Sequence, residues 1–296
     1  MAAVKTIDVP YLGARAGYAL ANDHLDPSKP TCVLINSMCM TSALFRPQFE
    51  NEKLTTAMNL VAIEPLGHGA TTCASEQFTF WDSARVALLV LDHLKVDKFF
   101  ALGTSAGGWV AARIALLAPQ RIQGLLLLGT SMDSESADSR AKGCWDPVPF
   151  FKPFLQKWTS AEPTPDFTPD HDWVGACTGL GFGAAGTADN TDFWSRSITD
   201  VYKGDEGRKK LKMATICLAE RDSLLLRLEY ITCPVHWLQG TDDVVYSAQV
   251  AEEQLQLFTG SKDAKYSSVQ GGAHYLSASN PADVNVALLA LVEKYS

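Results

Sequence analysis

This 296-residue sequence lacks the hallmarks of several common protein classes. Its seven cysteines are dispersed without any Cys-x-x-Cys pair, so a zinc cluster or a dithiol redox motif has no support. No stretch approaches the roughly 20 apolar residues of a membrane span, and residues 1–10 contain no apolar core of a signal peptide. We therefore expect a cytoplasmic globular protein that uses no metal, no cofactor and no membrane partner.

Positive charge is also scarce. Lys and Arg number 25 against 33 Asp and Glu, which gives a formal net charge of −8 at pH 7. Such a surface on average repels nucleic acid, so a nucleic-acid partner is not expected. Hydrophobic residues make up 47% of the chain, enough for a sizeable core. The expected partner is a small molecule, while the oligomeric state stays open, with a homodimer as one option.

The most informative segment that is present places a serine between an apolar strand and an apolar helix. Residues 98–108 read KFFALGTSAGG and contain the pattern G-x-S-x-G around Ser105. A sharp strand-to-helix turn of this kind exposes the serine hydroxyl at the end of a sheet. The pattern predicts Ser105 as a nucleophile and the backbone N–H of Ala106 as one donor to a developing oxyanion.

Apolar runs alternate with amphipathic segments through both ends of the chain. This alternation predicts an α/β fold with a mostly parallel central β-sheet flanked by helices. Predicted strands are residues 31–35, 60–63, 99–102, 122–128, 234–238 and 264–269, and predicted helices are residues 44–58, 80–94, 106–117 and 281–295.

The alternation stops in the segment 134–230, which is rich in aromatic residues. Four of the seven tryptophans lie there, and prolines and glycines mark its bends. So many aromatic side chains argue against disorder. We predict a helical lid at 134–230, inserted into a core of residues 1–133 and 231–296, with Trp173 and Trp194 facing substrate above the serine.

Chain order narrows the choice of partners for the serine. In the elbow architecture the acid follows the serine and the histidine follows the acid. Only His274 follows both Ser105 and the acidic pair Asp242–Asp243, which ends a predicted strand. The base is therefore predicted to be His274. The residues themselves leave Asp133, Asp242 and Asp243 as alternatives for the acid that orients the base.

Two more positions complete the predicted site. A second oxyanion donor is expected in the loop after residue 35, where the backbone N–H of Met38 is our choice. Tyr275, next to the predicted base, is expected to contact substrate. His68 lies in a glycine-flanked turn before the serine and His236 lies inside an apolar strand, so we interpret both as structural.

With these motifs the chain resembles the serine hydrolases of the α/β-hydrolase superfamily. The matching segments are the nucleophile elbow 103–107, the G-H-G turn 67–69, the G-x-x-D acid loop 240–243 and the histidine loop 272–274. The resemblance implies Asp243, three residues after Gly240, as the acid. Asn36-Ser37 stands where most members carry His-Gly, and in this the chain is similar to 3-oxoadipate enol-lactonases.

The resemblance implies hydrolysis of an ester or lactone of a small apolar or aromatic substrate through an acyl-enzyme. Two alternatives stay open. The same triad supports carbon–carbon bond hydrolysis or cofactor-free haloperoxidase chemistry, and the fold also occurs in ligand-binding or receptor proteins without turnover. Epoxide hydrolases and haloalkane dehalogenases are disfavoured, because they carry Asp at the position of Ser105.

Overall fold

The computed structural model describes residues 2–296 and contains one eight-stranded sheet with helices on both faces. The strands are β1 (Val4–Val9), β2 (Ala14–Leu20), β3 (Thr31–Ile35), β4 (Asn59–Ile63), β5 (Phe99–Thr104), β6 (Ile122–Leu128), β7 (Val235–Gly240) and β8 (Ala264–Val269).

The sheet has the strand order β1-β2-β4-β3-β5-β6-β7-β8. β1 and β2 pair antiparallel, β2 pairs antiparallel with β4, and all other neighbours are parallel. The carboxyl ends of the parallel strands therefore meet at one edge, which is where open α/β sheets place their sites. The predicted fold class is confirmed.

The central strands are covered on both faces. Every residue of β3, β4 and β5 is buried, because helices pack above and below the sheet. Near-continuous apolar strands are what a doubly covered parallel sheet requires. β1 and β2 were not predicted from the sequence, since β1 is a partly exposed edge strand without a continuous apolar run.

The helices of the two core segments are α1 (Arg46–Phe49), α2 (Glu52–Ala57), α3 (Phe80–His93), α4 (Ala106–Leu117), α10 (Ala248–Leu255), α11 (Leu276–Ser279) and α12 (Pro281–Tyr295). Among them, those predicted at 80–94, 106–117 and 281–295 are present, whereas α10 and α11 were not predicted. The single helix predicted at 44–58 is wrong. A 3₁₀ turn and two short helices stand there, because the Asn51 side chain accepts the N–H of Leu54 and starts a new helix.

The chain between β6 and β7 is helical, and we call residues 134–230 the insertion. Its helices are α5 (Ala137–Ala141), α6 (Pro147–Trp158), α7 (His171–Phe182), α8 (Ala188–Tyr202) and α9 (Gly204–Ala219). Gly183 ends α7 with φ +50°, and Gly204 takes φ +73° between α8 and α9. Both are conformations that glycine adopts without the cost other residues incur.

Within residues 2–296, no helix is both long enough and apolar enough to cross a bilayer. In the same part of the chain, no group of three His, Cys, Asp or Glu side chains is arranged to hold a metal ion.

Candidate active site

The site begins at the turn between β5 and α4. Ser105 adopts φ 52° and ψ −118°, a conformation rare for any residue other than glycine. A Cβ on Gly103 would overlap the carbonyl oxygen of Gly107, and one on Gly107 would overlap that of Ile35. The two glycines are therefore required by the close approach of the helix to the sheet, and the turn holds the Ser105 hydroxyl at the carboxyl edge.

Three predicted residues form one hydrogen-bonded line at this edge. The Ser105 hydroxyl donates to Nε2 of His274 at 2.8 Å, and Nδ1–H of His274 donates to Oδ2 of Asp243 at 2.9 Å. The carboxylate can only accept, so it fixes the proton on Nδ1 and leaves Nε2 free to accept. The serine and the histidine are 6% and 5% exposed, so the line is shielded from bulk water.

The carboxylate of Asp243 is fully buried and held from four directions. Oδ1 accepts the backbone N–H groups of Val245 and Tyr246 at 2.8 and 3.1 Å. Oδ2 accepts the Gln239 amide at 2.7 Å in addition to His274. These donors compensate the cost of burying a charge and leave the carboxylate one orientation.

The other two acid candidates lie elsewhere. The Asp242 side chain accepts from the Thr241 hydroxyl at 3.0 Å on the exposed side of the loop. Asp133 accepts the backbone N–H groups of Ser134 and Ser136, at 2.7 and 3.1 Å. Neither bonds to a histidine in the described residues, so the geometry singles out Asp243 as the partner of His274.

The two predicted oxyanion donors, the backbone N–H groups of Met38 and Ala106, have no acceptor within residues 2–296. Ala106 opens α4, where free N–H groups and the helix dipole favour negative charge. The loop that carries Met38 is fixed by Asn36, whose amide donates to the carbonyl oxygen of Met40 at 2.7 Å. Cys39 completes this tight turn with φ 60°.

The two other histidines singled out above have local structural partners. Nδ1 of His68 donates to the carbonyl oxygen of Leu66 at 3.0 Å, and burial lowers the pKa of His68 to about 4. Nε2 of His236 lies 2.9 Å from the Ser267 hydroxyl, and burial lowers its pKa to about 4 as well. Both rings are therefore neutral at pH 7.

A cavity of about 50 Å³ opens beside the Ser105 hydroxyl. Its wall is mostly aromatic and aliphatic, and the insertion supplies seven of its thirteen lining residues. The lining consists of Met38, Ser105, Trp145, Phe150, Phe151, Trp173, Cys177, Leu180, Leu218, Val245, Tyr246, His274 and Tyr275. Larger grooves exist, including one of about 360 Å³ lined by Arg46, Phe49 and Phe193, but none of the three hydrogen-bonded residues reaches it.

The three residues predicted to contact substrate divide into two groups. Trp173 and Tyr275 line the cavity, and the Tyr275 hydroxyl donates to the carbonyl oxygen of Met38 at 3.3 Å. The expectation for Trp194 is corrected, because its ring does not reach the cavity. It stacks on Phe182 at 6.1 Å and packs edge-on against Phe193 at 5.0 Å, and these contacts occupy it within the insertion.

Sequence reasoning missed a buried ion pair at the two ends of the insertion. Arg221, after α9, pairs with Glu135, before α5, and both side chains are about 1% exposed. The Arg221 guanidinium also donates to the carbonyl oxygen of Asp133 at 2.9 Å and lies 3.8 Å over the ring of Trp109 in α4. The pair fastens the insertion to the nucleophile helix. Residues 86 positions apart carry no local signal that pairs them.

Part of the chain is similar in sequence to known proteins. Residues 30–148 match the family model of the alpha/beta hydrolase fold. A pimeloyl-[acyl-carrier protein] methyl ester esterase from Vibrio campbellii is 33% identical over 102 residues, which cover 34% of this chain and 37% of that protein. The matched part of the chain spans only 22 to 36% of the length of the first curated relatives.

Solved structures resemble the whole chain. A thermophilic esterase from Thermogutta terrifontis superposes with a TM-score of 0.77 at 16% identity and full coverage of both chains. The enol-lactonase from Burkholderia xenovorans LB400 superposes with a TM-score of 0.76 at 17% identity, covering 98% of this chain and all of that one. The chain therefore has the α/β-hydrolase fold, and its residues 30–148 match the family model of that fold.

Proposed function

We propose that this protein is a serine hydrolase that cleaves an ester or lactone of a small apolar or aromatic substrate through an acyl-enzyme. The observation that carries the proposal is the line from Ser105 through His274 to Asp243, which ends at an apolar cavity. A buried base within 3 Å of a serine hydroxyl is what nucleophilic catalysis requires.

In the first half of the reaction, Ser105 attacks the substrate carbonyl while Nε2 of His274 takes its proton. Asp243 stabilises the imidazolium that forms and keeps the ring in its tautomer. The backbone N–H groups of Met38 and Ala106 donate to the oxyanion of the tetrahedral intermediate. The imidazolium then protonates the leaving oxygen, which departs as an alcohol, or stays attached at the far end of the acyl chain when the substrate is a lactone.

In the second half, a water molecule takes the place of the leaving group. His274 removes its proton, the hydroxide attacks the acyl-enzyme, and Ser105 leaves with the proton returned by the imidazolium. Within this proposal the insertion acts as a lid that supplies the apolar wall and limits access of water. The esterase and enol-lactonase among the similar proteins support ester or lactone cleavage as the reaction class.

The test is covalent labelling followed by turnover. Incubation with a fluorophosphonate should add one probe mass to the intact protein, mapped to the peptide containing Ser105, and Ser105→Ala should remain unlabelled. A panel of p-nitrophenyl esters and lactones should then be hydrolysed in buffer containing EDTA as fast as without it. Absence of labelling would refute the proposal. Labelling without ester or lactone turnover would favour carbon–carbon bond hydrolysis or haloperoxidase chemistry on the same residues.

A further inference from the structure

One of the residues that line the cavity beside Ser105 carries a buried polar atom with no hydrogen-bond partner in residues 2–296. The Trp145 indole N–H donates to the Tyr246 hydroxyl at 3.3 Å, and the Tyr275 hydroxyl donates to a backbone oxygen. The indole N–H of Trp173 is buried and has no acceptor in residues 2–296. Among the side chains that line this cavity, Trp173 alone leaves a buried nitrogen or oxygen atom unpaired in that part of the chain.

The Trp173 ring is held in place by its neighbours. Four aromatic rings of α6 surround it with centroid distances between 4.8 and 6.1 Å. The ring of Trp158, one of these four, has its own N–H bonded to Asp170 at 3.0 Å. The packing around Trp173 therefore fixes the position of its indole ring. Unlike Trp158, Trp173 has no acceptor for its N–H group within residues 2–296.

A buried donor without an acceptor costs about 1–3 kcal/mol. Trp109 and Trp237 also have unpaired indole N–H groups, but neither lines the cavity, so a ligand in the cavity does not reach them. A substrate oxygen next to Trp173 would satisfy its donor. Because that acceptor comes only with the substrate, the donor favours substrates that carry one.

The size and charge of the cavity restrict the rest of the acyl group. The cavity has a volume of only about 50 Å³, so a short acyl group fits it better than a long one. Apart from His274, no lining residue is of a type that carries a positive charge. A carboxylate on the acyl chain would lose its hydration without gaining an ion pair.

We propose that the Trp173 indole N–H donates a hydrogen bond to an oxygen of the acyl chain, so that the site selects short, uncharged 3-oxoacyl or alkoxyacyl esters and lactones. This inference rests on the proposed function, and it adds the substrate class. The acceptor oxygen is a second one, distinct from the carbonyl oxygen that Ser105 attacks. It is a feature that a simple alkanoyl ester lacks.

Paired substrates that differ by one atom test the inference. In p-nitrophenyl methoxyacetate an oxygen replaces one methylene of p-nitrophenyl butanoate, and 3-methoxypropanoate and pentanoate form a second pair. The ratio of kcat/KM within each pair cancels differences in enzyme concentration. Trp173→Phe should lower this ratio by about 10-fold in at least one pair, as expected for one hydrogen bond. Trp237→Phe removes an equally unpaired indole outside the cavity and should change the ratio by less than about twofold.

A second measurement does not depend on turnover or on the folding of the Trp173 and Trp237 variants. In Ser105→Ala with ¹⁵N-labelled tryptophan, methoxyacetanilide should move the Trp173 indole proton signal downfield, and butyranilide should not. Equal ratios in wild type and Trp173→Phe, or equal losses in both variants, would overturn the inference, as would an unmoved signal. If fluorophosphonate still labels Ser105, such a result removes the substrate class and leaves the proposed function standing. A wild-type protein that is not labelled removes both.

Discussion

The carboxyl edge of the sheet and the cavity wall formed by the insertion differ in polarity. At the edge, the Asp243 carboxylate accepts four hydrogen bonds. The wall consists mainly of packed aromatic rings, and the Trp173 N–H has no acceptor within residues 2–296. A preorganised polar centre favours one reaction, and an apolar wall with a single unpaired donor favours a subset of ligands. The difference suggests that reactivity and selectivity reside in separate parts of the chain.

The largest effect is expected from removing the proposed nucleophile, the Ser105 hydroxyl at the carboxyl edge of the sheet. Ser105→Ala should lower kcat on any hydrolysed ester by at least about 10³-fold and by up to about 10⁶-fold, because it removes the hydroxyl on which the proposed acyl-enzyme forms. The far-ultraviolet circular dichroism spectrum should match that of the wild type. Turnover near the wild-type rate would show that the edge does not carry the chemistry.

The next effect separates two adjacent carboxylates. Asp243→Asn should lower kcat by about 10⁴-fold, since an amide in place of the carboxylate no longer fixes the His274 tautomer or stabilises its charged form. Asp242→Asn is the matched control, because within residues 2–296 its side chain bonds only to Thr241, at the surface, and it should stay within about twofold of wild type. Steady-state kinetics on one ester measure both, and equal losses would contradict the geometric assignment.

A third change tests how the insertion is fastened. Arg221→Met leaves the Glu135 carboxylate buried without its partner and should lower the free energy of unfolding by about 3–5 kcal/mol in urea denaturation. Burial already raises the pKa of Glu135, despite its proximity to the arginine.

The control for this change removes both charges. Glu135→Leu combined with Arg221→Met should recover much of the loss, because apolar replacement of a buried pair is often neutral. The rate at which a small fluorophosphonate labels Ser105, calculated per folded molecule, should change little although the free energy of unfolding falls. A large fall in the labelling rate would contradict the assignment of reactivity and selectivity to separate parts of the chain.

The smallest effect concerns the turn against which the insertion rests. The Tyr202 hydroxyl donates to the carbonyl oxygen of Gly67, next to His68, whose pKa burial lowers to about 4. Above about pH 6.5 the His68 ring is neutral in both the folded and the unfolded protein, so its ionisation does not lower the free energy of unfolding there. As pH falls from about 6.5 to about 4 the unfolded chain binds a proton that the native ring rejects, and stability falls by up to about 1.4 kcal/mol per pH unit.

The variant that checks this is His68→Asn, whose amide can still donate to the Leu66 carbonyl oxygen. The difference between the unfolding free energies at pH 7.5 and pH 5 should be smaller in the variant than in the wild type. An unchanged difference would mean that His68 is not the group responsible.

The sequence predicted the parts of this molecule whose information is local. The helix 106–117 and the strands 122–128 and 264–269 have the predicted bounds, because apolar periodicity and flanking glycines define them. Chain order alone selected His274, which the structure places against Ser105. What stayed hidden depends on contacts between distant residues. The pairing of Glu135 with Arg221 is one example, and the packing that turns Trp194 away from the cavity is another.

The attachment of the insertion to neighbouring strands has a consequence for how such a chain can change over evolutionary time. The insertion leaves after β6 and returns before β7, which pair in parallel, and the Arg221–Glu135 contact joins its two ends. A segment whose ends meet can be lengthened, shortened or exchanged while the register of the sheet is kept. Related chains can thus share the residues at the carboxyl edge and differ in the insertion. In the laboratory, the insertion of one relative could be exchanged for that of another at the same two junctions.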